Sequence, residues 1–216
     1  KKYEDALWAG VAAVESHGGD IAYPDWKAFA QTLRIEERYP GINGIGIIHV
    51  KPLADMGAYL IEQRVERPYF DVFPEHDLPV KMPITFVEPE AGNAAAVGLD
   101  IAHETNRRTA ALASGDTGLA TITAPITLVQ DADQTSGFLF YAPFYRGGMP
   151  DTISERREQF LGAVYAPFVV HRLMEGLLAR ELRNINFSIT DADALIYDEH
   201  DAQDPMFDPD PMFSEQ

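Results

Sequence analysis

The residues of this chain that could do chemistry are scattered. Six histidines stand at positions 17, 49, 76, 103, 171 and 200, and none has a second histidine four residues away, the spacing that lets one helical face hold zinc. His103-Glu104 is half of such a motif. The acidic run from Asp191 and Asp193 to Asp201 offers oxygen ligands but lacks the Gly and terminal Glu of a calcium loop, so it reads as a solvated acidic loop. Cysteine is absent, which removes a catalytic thiol, a disulfide framework and thiolate zinc sites and leaves the redox compartment open. There is no Gly-x-Ser-x-Gly elbow, Gly-Lys phosphate loop or dinucleotide fingerprint. No metal and no cofactor are expected. What remains is Arg107-Arg108, in a segment otherwise rich in Ala, Leu and Thr. Adjacent helical residues lie about 100° apart, so one arginine can face inward while the other stays wet. An inward guanidinium calls for a carboxylate or phosphate, which it can bind with two parallel hydrogen bonds. The plainer alternatives are two surface arginines, or Arg107 paired with Asp100.

The elements that must position these residues follow from periodicity. Leu7, Val11 and Val14 mark a helix over residues 4–16, and Trp26, Phe29, Ala30 and Leu33 a second over 25–38, with Gly18-Gly19 as the break. The β-branched run from Asn43 to Val50 predicts a strand buried on both faces, its glycines marking close backbone approach. Met56, Tyr59, Leu60 and Gln63 predict a helix over 53–67 that ends before Pro68. Val80, Met82, Ile84 and Phe86 alternate with Lys81, Pro83, Thr85 and Val87, an edge or bulged strand because Pro83 lacks a donor. A helix over 103–114 follows, then strands near 120–129 and 137–145 joined by a polar hairpin at 131–136. A strand from Phe160 to Ala166 ends at Pro167. Val170, Leu173, Met174, Leu177 and Leu178 predict a helix after it, and Asn186–Ile189 begins another strand. Irregularly interspersed helices and hairpin-joined strands predict an α+β fold on a mostly antiparallel sheet.

Composition narrows the function. With 34 acidic and 17 basic side chains the formal charge is −17, which argues against a nucleic-acid partner or an anionic membrane surface. The 46% hydrophobic and 11% aromatic content supplies a packed core. No window reaches 18 consecutive apolar residues, and the N-terminus has no signal-peptide core. The chain starts at Lys1-Lys2 and stops in an acidic tail, as a domain cut from a longer protein would.

Six short motifs in order resemble a known family. They are Asn43-Gly-Ile-Gly46, Leu99-Asp100, Arg107-Arg108, Gly118-x-x-Thr121-x-Thr123-Ala-Pro125, Gly137-Phe138-x-x-Tyr141-x-Pro143-x-Tyr145, and Glu155-Arg156 ahead of Leu161-Gly162. Together, over about Ile42 to Val170, they resemble the CHASE domain, the extracytoplasmic sensor of histidine kinases and nucleotide cyclases, whose plant members are cytokinin receptors. The resemblance implies a long N-terminal stalk helix followed by two PAS-like antiparallel-sheet halves: a helical stalk over 1–38, a membrane-distal ligand-binding half over 39–167, and a membrane-proximal half with the acidic segment over 168–216. It also implies flanking membrane helices and a cytoplasmic kinase or diguanylate cyclase outside this chain. The aspartate with which plant members hold the adenine-like ring falls at Arg107, a threonine of theirs at Tyr141 and an alanine at Val164. An acceptor has become a donor and the cavity is expected to be smaller.

The expected pocket lies between the 80–86 strand, the 103–114 helix and the hairpin strands. Its walls are Ile84, Phe86, Ile101, Val129, Phe160 and Val164, and Arg107 and the Tyr141 hydroxyl hold a small ligand, a carboxylate or similar anion. A homodimer through the N-terminal helix is expected, since Leu7, Val11 and Val14 on an isolated stalk would face water. Two other readings stand beside the sensor: a ligand-free dimerisation module with Tyr141 and Phe160 filling the pocket, and a soluble hydrolase using Asp100, His103 and Glu104, for which the sequence supplies no nucleophile.

Overall fold

The computed structural model describes residues 1–128, 136–177, 188–191 and 194–198. Its elements run α1 (Lys2–Ser16), α2 (Tyr23–Leu33), α3 (Ile35–Arg38), β1 (Ile45–His49), β2 (Lys51–Pro52), α4 (Met56–Glu66), β3 (Val80–Lys81), β4 (Ile84–Glu88), α5 (Thr105–Thr117), β5 (Thr121–Ile122), β6 (Ile126–Thr127), β7 (Ser136–Tyr145), α6 (Ile153–Gln159), β8 (Phe160–Val169), α7 (Val170–Leu177), β9 (Ser188–Asp191) and β10 (Ala194–Asp198). The centre is one antiparallel sheet in the order β4-β1-β8-β7-β5, with β6 also pairing with β7. β2 with β3, and β9 with β10, form separate two-stranded ribbons. The α+β architecture read from the sequence is present, with an N-terminal helix.

Strand alternation gives the central sheet two packed faces, beside a smaller cluster of Met56, Tyr59 and Phe70. On one face Ile45, Ile47, Phe86, Ala142, Phe144, Val164, Ala166 and Phe168 pack with Leu7, Val11, Val14 and Trp26 of α1 and α2. On the other Ile48, Ile84, Leu139, Tyr141, Ala163, Tyr165 and Val169 pack with Ile101, Ala110 and Ala111 on and before α5. The two long central strands carry the same tetrapeptide, Tyr141-Ala-Pro-Phe144 in β7 and Tyr165-Ala-Pro-Phe168 in β8. With a period of two, each sends its tyrosine toward α5 and its alanine and phenylalanine toward α1.

Several local expectations are corrected. The helix read over 25–38 is two, because Arg34 adopts φ 55, ψ 55 and turns the chain between α2 and α3. The 80–86 strand divides at Met82-Pro83. The strand expected to stop at Pro167 runs on to Val169; beside Pro167 the loop before β1 takes over as neighbour, Asn43 N donating to the Pro167 carbonyl at 2.8 Å. The stripe Leu7, Val11 and Val14 is 1%, 5% and 0% exposed. It faces the protein's own sheet, so its apolarity needs no partner helix. The hairpin read at 131–136 and the residues Leu178 and Asn186 fall wholly or mostly outside the described residues.

Candidate functional site

The α5 end of the second core begins with a tightly capped turn. Asp100, fully buried, accepts Met82 N and Ala102 N at 2.8 and 3.0 Å, and its other oxygen lies 2.8 Å from His76 Nε2 and 3.8 Å from Lys81 Nζ. Glu104 then caps α5 by accepting Asn106 N and Arg107 N, each at 2.9 Å. Carboxylates at a helix N-terminus satisfy donors that have no intrahelical partner. The residues of the hydrolase reading are thus engaged in building the turn: His103 Nδ1 is 2.6 Å from the Asp100 carbonyl, Asp100 is bound as above, and Glu104 is the cap. Among the described residues no group of three or more His, Asp or Glu is arranged to hold a metal ion.

Of the two adjacent arginines, Arg107 is the inward one, 7% exposed. One Nη donates to the Thr127 carbonyl at 3.0 Å, while Nε has no hydrogen-bond acceptor and lies 3.9 Å from a Glu104 oxygen already used as a cap. Arg108 bonds back to the Ala102 carbonyl and to Thr105 Oγ1. Asn106 exchanges hydrogen bonds with Ala124 across the gap, so the first turn of α5 is fastened to the segment around β6.

On the α5 side of the sheet, within electrostatic reach of this arginine, are Tyr141 and Tyr165. The two are directly paired across the β7–β8 ladder. They are 0% and 1% exposed, and neither hydroxyl has a hydrogen-bond partner. Burial raises the pKa of both phenols far above the ordinary value, with the charge of Arg107 opposing the rise. Both therefore remain protonated donors. The Tyr165 ring lies across Gly46 of β1, its cross-strand neighbour, where a Cβ would stand 2.4 Å from Cε1. That glycine of the Asn43–Gly46 motif is the seat of the ring.

Ile84 and Ile101 join Tyr141 in the same core. Phe86 and Val164 do not: they lie on the α1 face. For Phe86 the cause is a bulge. Ile47 pairs with Phe86 but Ile48 pairs with Ile84, leaving Thr85 as an extra residue that reverses the alternation. Val164 is one residue from Tyr165 and points the opposite way. Phe160 sits under Gly115, where a Cβ would be 2.8 Å from its ring, eight residues or about 12 Å along α5 from Arg107. Val129 lies outside the described residues. Tyr165, absent from the sequence-derived wall, was signalled by the repeated Tyr-Ala-Pro-Phe.

Two open clefts occur elsewhere. One of about 290 Å³ lies between the α2 start and α4, lined by Asp20, Tyr23, Glu62, Arg67 and Phe86, and one of about 300 Å³ lies along α2 and α3 beside Glu88. Their walls mix charged and apolar groups, and in the first Arg67 already lies over the Tyr23 and Phe86 rings. Openness alone is a weaker pointer than sealed donors without acceptors, each of which costs free energy until something accepts its hydrogen.

A chain of the "Extracellular ligand binding receptor from Desulfohalobium retbaense DSM5692" has a similar fold, with TM-score 0.56 and 14% identity over 91% of this chain. The likeness spans 27% of that receptor chain, so this domain corresponds to about a quarter of it. No curated protein matches the sequence. The family model of the CHASE domain matches residues 19–207, which takes in the capped turn, α5 and both tyrosine-bearing strands. CHASE domains are extracytoplasmic sensory domains, and this chain belongs to that family.

Proposed function

We propose that this sensory domain binds a small anion between α5 and strands β7 and β8, with Arg107 and Tyr141 as ligand-binding residues and Ile84 and Ile101 in the wall. The observation that carries the reading is the buried Arg107 guanidinium, whose Nε has no acceptor and which lies within electrostatic reach of the sealed Tyr141 hydroxyl. Glu104, 3.9 Å from that Nε and committed to capping α5, offsets the buried charge without accepting its hydrogen, and an anionic ligand supplies the missing acceptor. In this reading the chain is the PAS-like sensor of a transmembrane histidine kinase or diguanylate cyclase, placed outside the cytoplasm and held by flanking helices.

The route for a signal runs through the sheet. A ligand drawing α5 toward β7 and β8 acts on strands whose opposite face holds α1 through Ala142, Phe144 and Val164. Two packings of α1 on that face would then be populated according to the ligand's preference between them. The test is a thermal-stability screen of small anions on the purified domain. Wild type should be stabilised by at least one anion, and Arg107→Ala should lose that stabilisation, with about 2–5 kcal/mol of binding free energy removed by truncating one partner of a buried charge pair. Equal binding by Arg107→Ala would exclude the site.

A further inference from the structure

We infer that Tyr165 is a third ligand donor beside Arg107 and Tyr141, and that the three together select a monocarboxylate over a phosphate. This rests on the anion-binding reading above and goes beyond it in naming a residue and a ligand class.

The residue follows from the ladder. Tyr141 and Tyr165 are direct cross-strand partners pointing to the same side of the sheet, where opposed side chains lie close enough to address one small group. Each hydroxyl is sealed and unpartnered, as is Arg107 Nε. The two hydroxyls stand on one side of the sheet, Arg107 is near enough to act electrostatically on both, and all three groups have a hydrogen to donate that nothing accepts, so the oxygen lone pairs of a ligand would satisfy them. A carboxylate has two oxygens and about four lone-pair positions, enough for all three. Gly46 leaves the room the Tyr165 ring occupies: a Cβ there would stand 2.4 Å from Tyr165 Cε1.

The class follows from charge. Arg107 is the cation at the site, and Glu104 stands 3.9 Å from its Nε. The site therefore offers at most one uncompensated positive charge. A monoanion balances it, whereas a phosphate monoester carries about 1.5 to 2 negative charges at neutral pH and would bury the excess. The neighbouring wall residues Ala110, Ala111 and Ala163 are small and tightly packed, which suits a short chain.

The experiment is calorimetric titration of the wild-type domain, Tyr165→Phe, Tyr141→Phe and Arg107→Ala with acetate, propionate, butyrate and methyl phosphate. Wild type is expected to bind at least one of the carboxylates and to bind methyl phosphate at least tenfold more weakly. Tyr165→Phe should weaken the carboxylate about tenfold, the size of one hydrogen bond to a charged group, and Tyr141→Phe by a similar factor. If a carboxylate binds in an Arg107-dependent way but Tyr165→Phe binds as tightly as wild type, the third donor is refuted and the anion site stands. Methyl phosphate binding as tightly as the best carboxylate refutes the monoanion selection. If none of the carboxylates binds, this inference falls, and an Arg107-dependent response to some other anion decides whether the broader reading falls with it. Should Tyr165→Phe fail to fold, tyrosine-Cζ NMR of the wild type replaces it: two buried tyrosine resonances should shift with the carboxylate, and a shift of only one overturns the proposal.

Discussion

On the face covered by α1 and α2, Phe144, Val164, Ala166 and Phe168 meet Leu7, Val11, Val14 and Trp26 in an apolar interior. The histidine at its edge, His49, is matched: its Nδ1 is 2.6 Å from Thr85 Oγ1, which in turn is 2.7 Å from the Tyr59 hydroxyl. The sealed nitrogens on that side, Trp26 Nε1 and His49 Nε2, belong to rings whose bulk is packing. On the α5 face the same two strands present Tyr141 and Tyr165 within electrostatic reach of the buried Arg107 guanidinium, and both hydroxyls and Arg107 Nε lack hydrogen-bond partners. Burial is equally complete on both sides, so burial does not distinguish a packing face from a binding face. The kind of unpaired group does: ring nitrogens on the α1 face, a guanidinium and two hydroxyls on the α5 face. The α1 face is optimised without a ligand, and the α5 face is left short of one.

The largest effect should come from the packed side. Phe144 is fully buried, with its ring edge-on to His49 at 5.9 Å and filling the space left by Gly162, where a Cβ would be 2.6 Å from it. Phe144→Ala should cost about 3–5 kcal/mol in urea denaturation, through lost burial and the cavity left behind. A loss below about 1 kcal/mol would mean that the α1 face is not the close-packed one.

His49 provides the next test. Burial, with Lys51 adding to it, lowers its pKa from 6.5 to about 4. Between those values the unfolded chain binds the proton that the folded one refuses. Stability from this group is therefore fully present above pH 6.5 and is lost as pH falls toward 4. The displacement corresponds to about 3 kcal/mol as an upper figure. His49→Gln, neutral throughout, should lose less stability than wild type between pH 7 and pH 4.5. Parallel pH profiles for the two proteins would show that His49 is solvated or already charged.

The sequence carried this two-sided design unevenly. The heptad-like spacing of Leu7, Val11 and Val14 and the Gly18-Gly19 break act locally and match the elements found, and the alternation of Val80, Met82 and Ile84 gives the shared face although the strand itself divides at Met82-Pro83. Arg107 facing inward was an open alternative that the angle between neighbouring helical positions allowed and only the packing decided. The errors come from what local pattern cannot express. Thr85 is one residue too many in β4, and nothing in its type announces a bulge, so Phe86 was placed with Ile84. Val164 was placed by counting along a family motif, while strand parity gives the position to Tyr165. The repeated Tyr-Ala-Pro-Phe held that information, but it becomes readable only once β7 and β8 are known to pair antiparallel with the two tyrosines opposed. The helix α6 also had a usable sign, Thr152 and Glu155 in a reciprocal cap, Glu155 N donating to Thr152 Oγ1 at 3.2 Å and Thr152 N to Glu155 Oε2 at 3.1 Å.

The smallest effect sharpens the comparison most, because it asks for different outcomes from two buried tyrosines on the adjacent strands β7 and β8. Tyr145 and Tyr165 are each 1% exposed; the Tyr145 ring packs on Phe160 and the Tyr165 ring over Gly46 of β1. They differ in one atom's surroundings: the Tyr145 hydroxyl donates to the Gly115 carbonyl at 2.7 Å, and the Tyr165 hydroxyl donates to nothing. Removing a hydroxyl that is bonded forfeits the bond and leaves its acceptor buried alone, whereas removing one that is unbonded lifts a desolvation penalty. In buffer free of carboxylates, Tyr145→Phe should therefore destabilise the domain by about 1 kcal/mol, and Tyr165→Phe should leave it unchanged or stabilise it by up to about 1 kcal/mol. Urea denaturation of both variants at pH 7.5 resolves a difference of that size. Saturating carboxylate should then reverse the Tyr165 result, since ligand binding adds stability to wild type in proportion to its affinity and adds less to the variant. A loss of about 1 kcal/mol for Tyr165→Phe without ligand would mean that its hydroxyl is already satisfied, and the α5 face would then be a second packing face rather than a binding one.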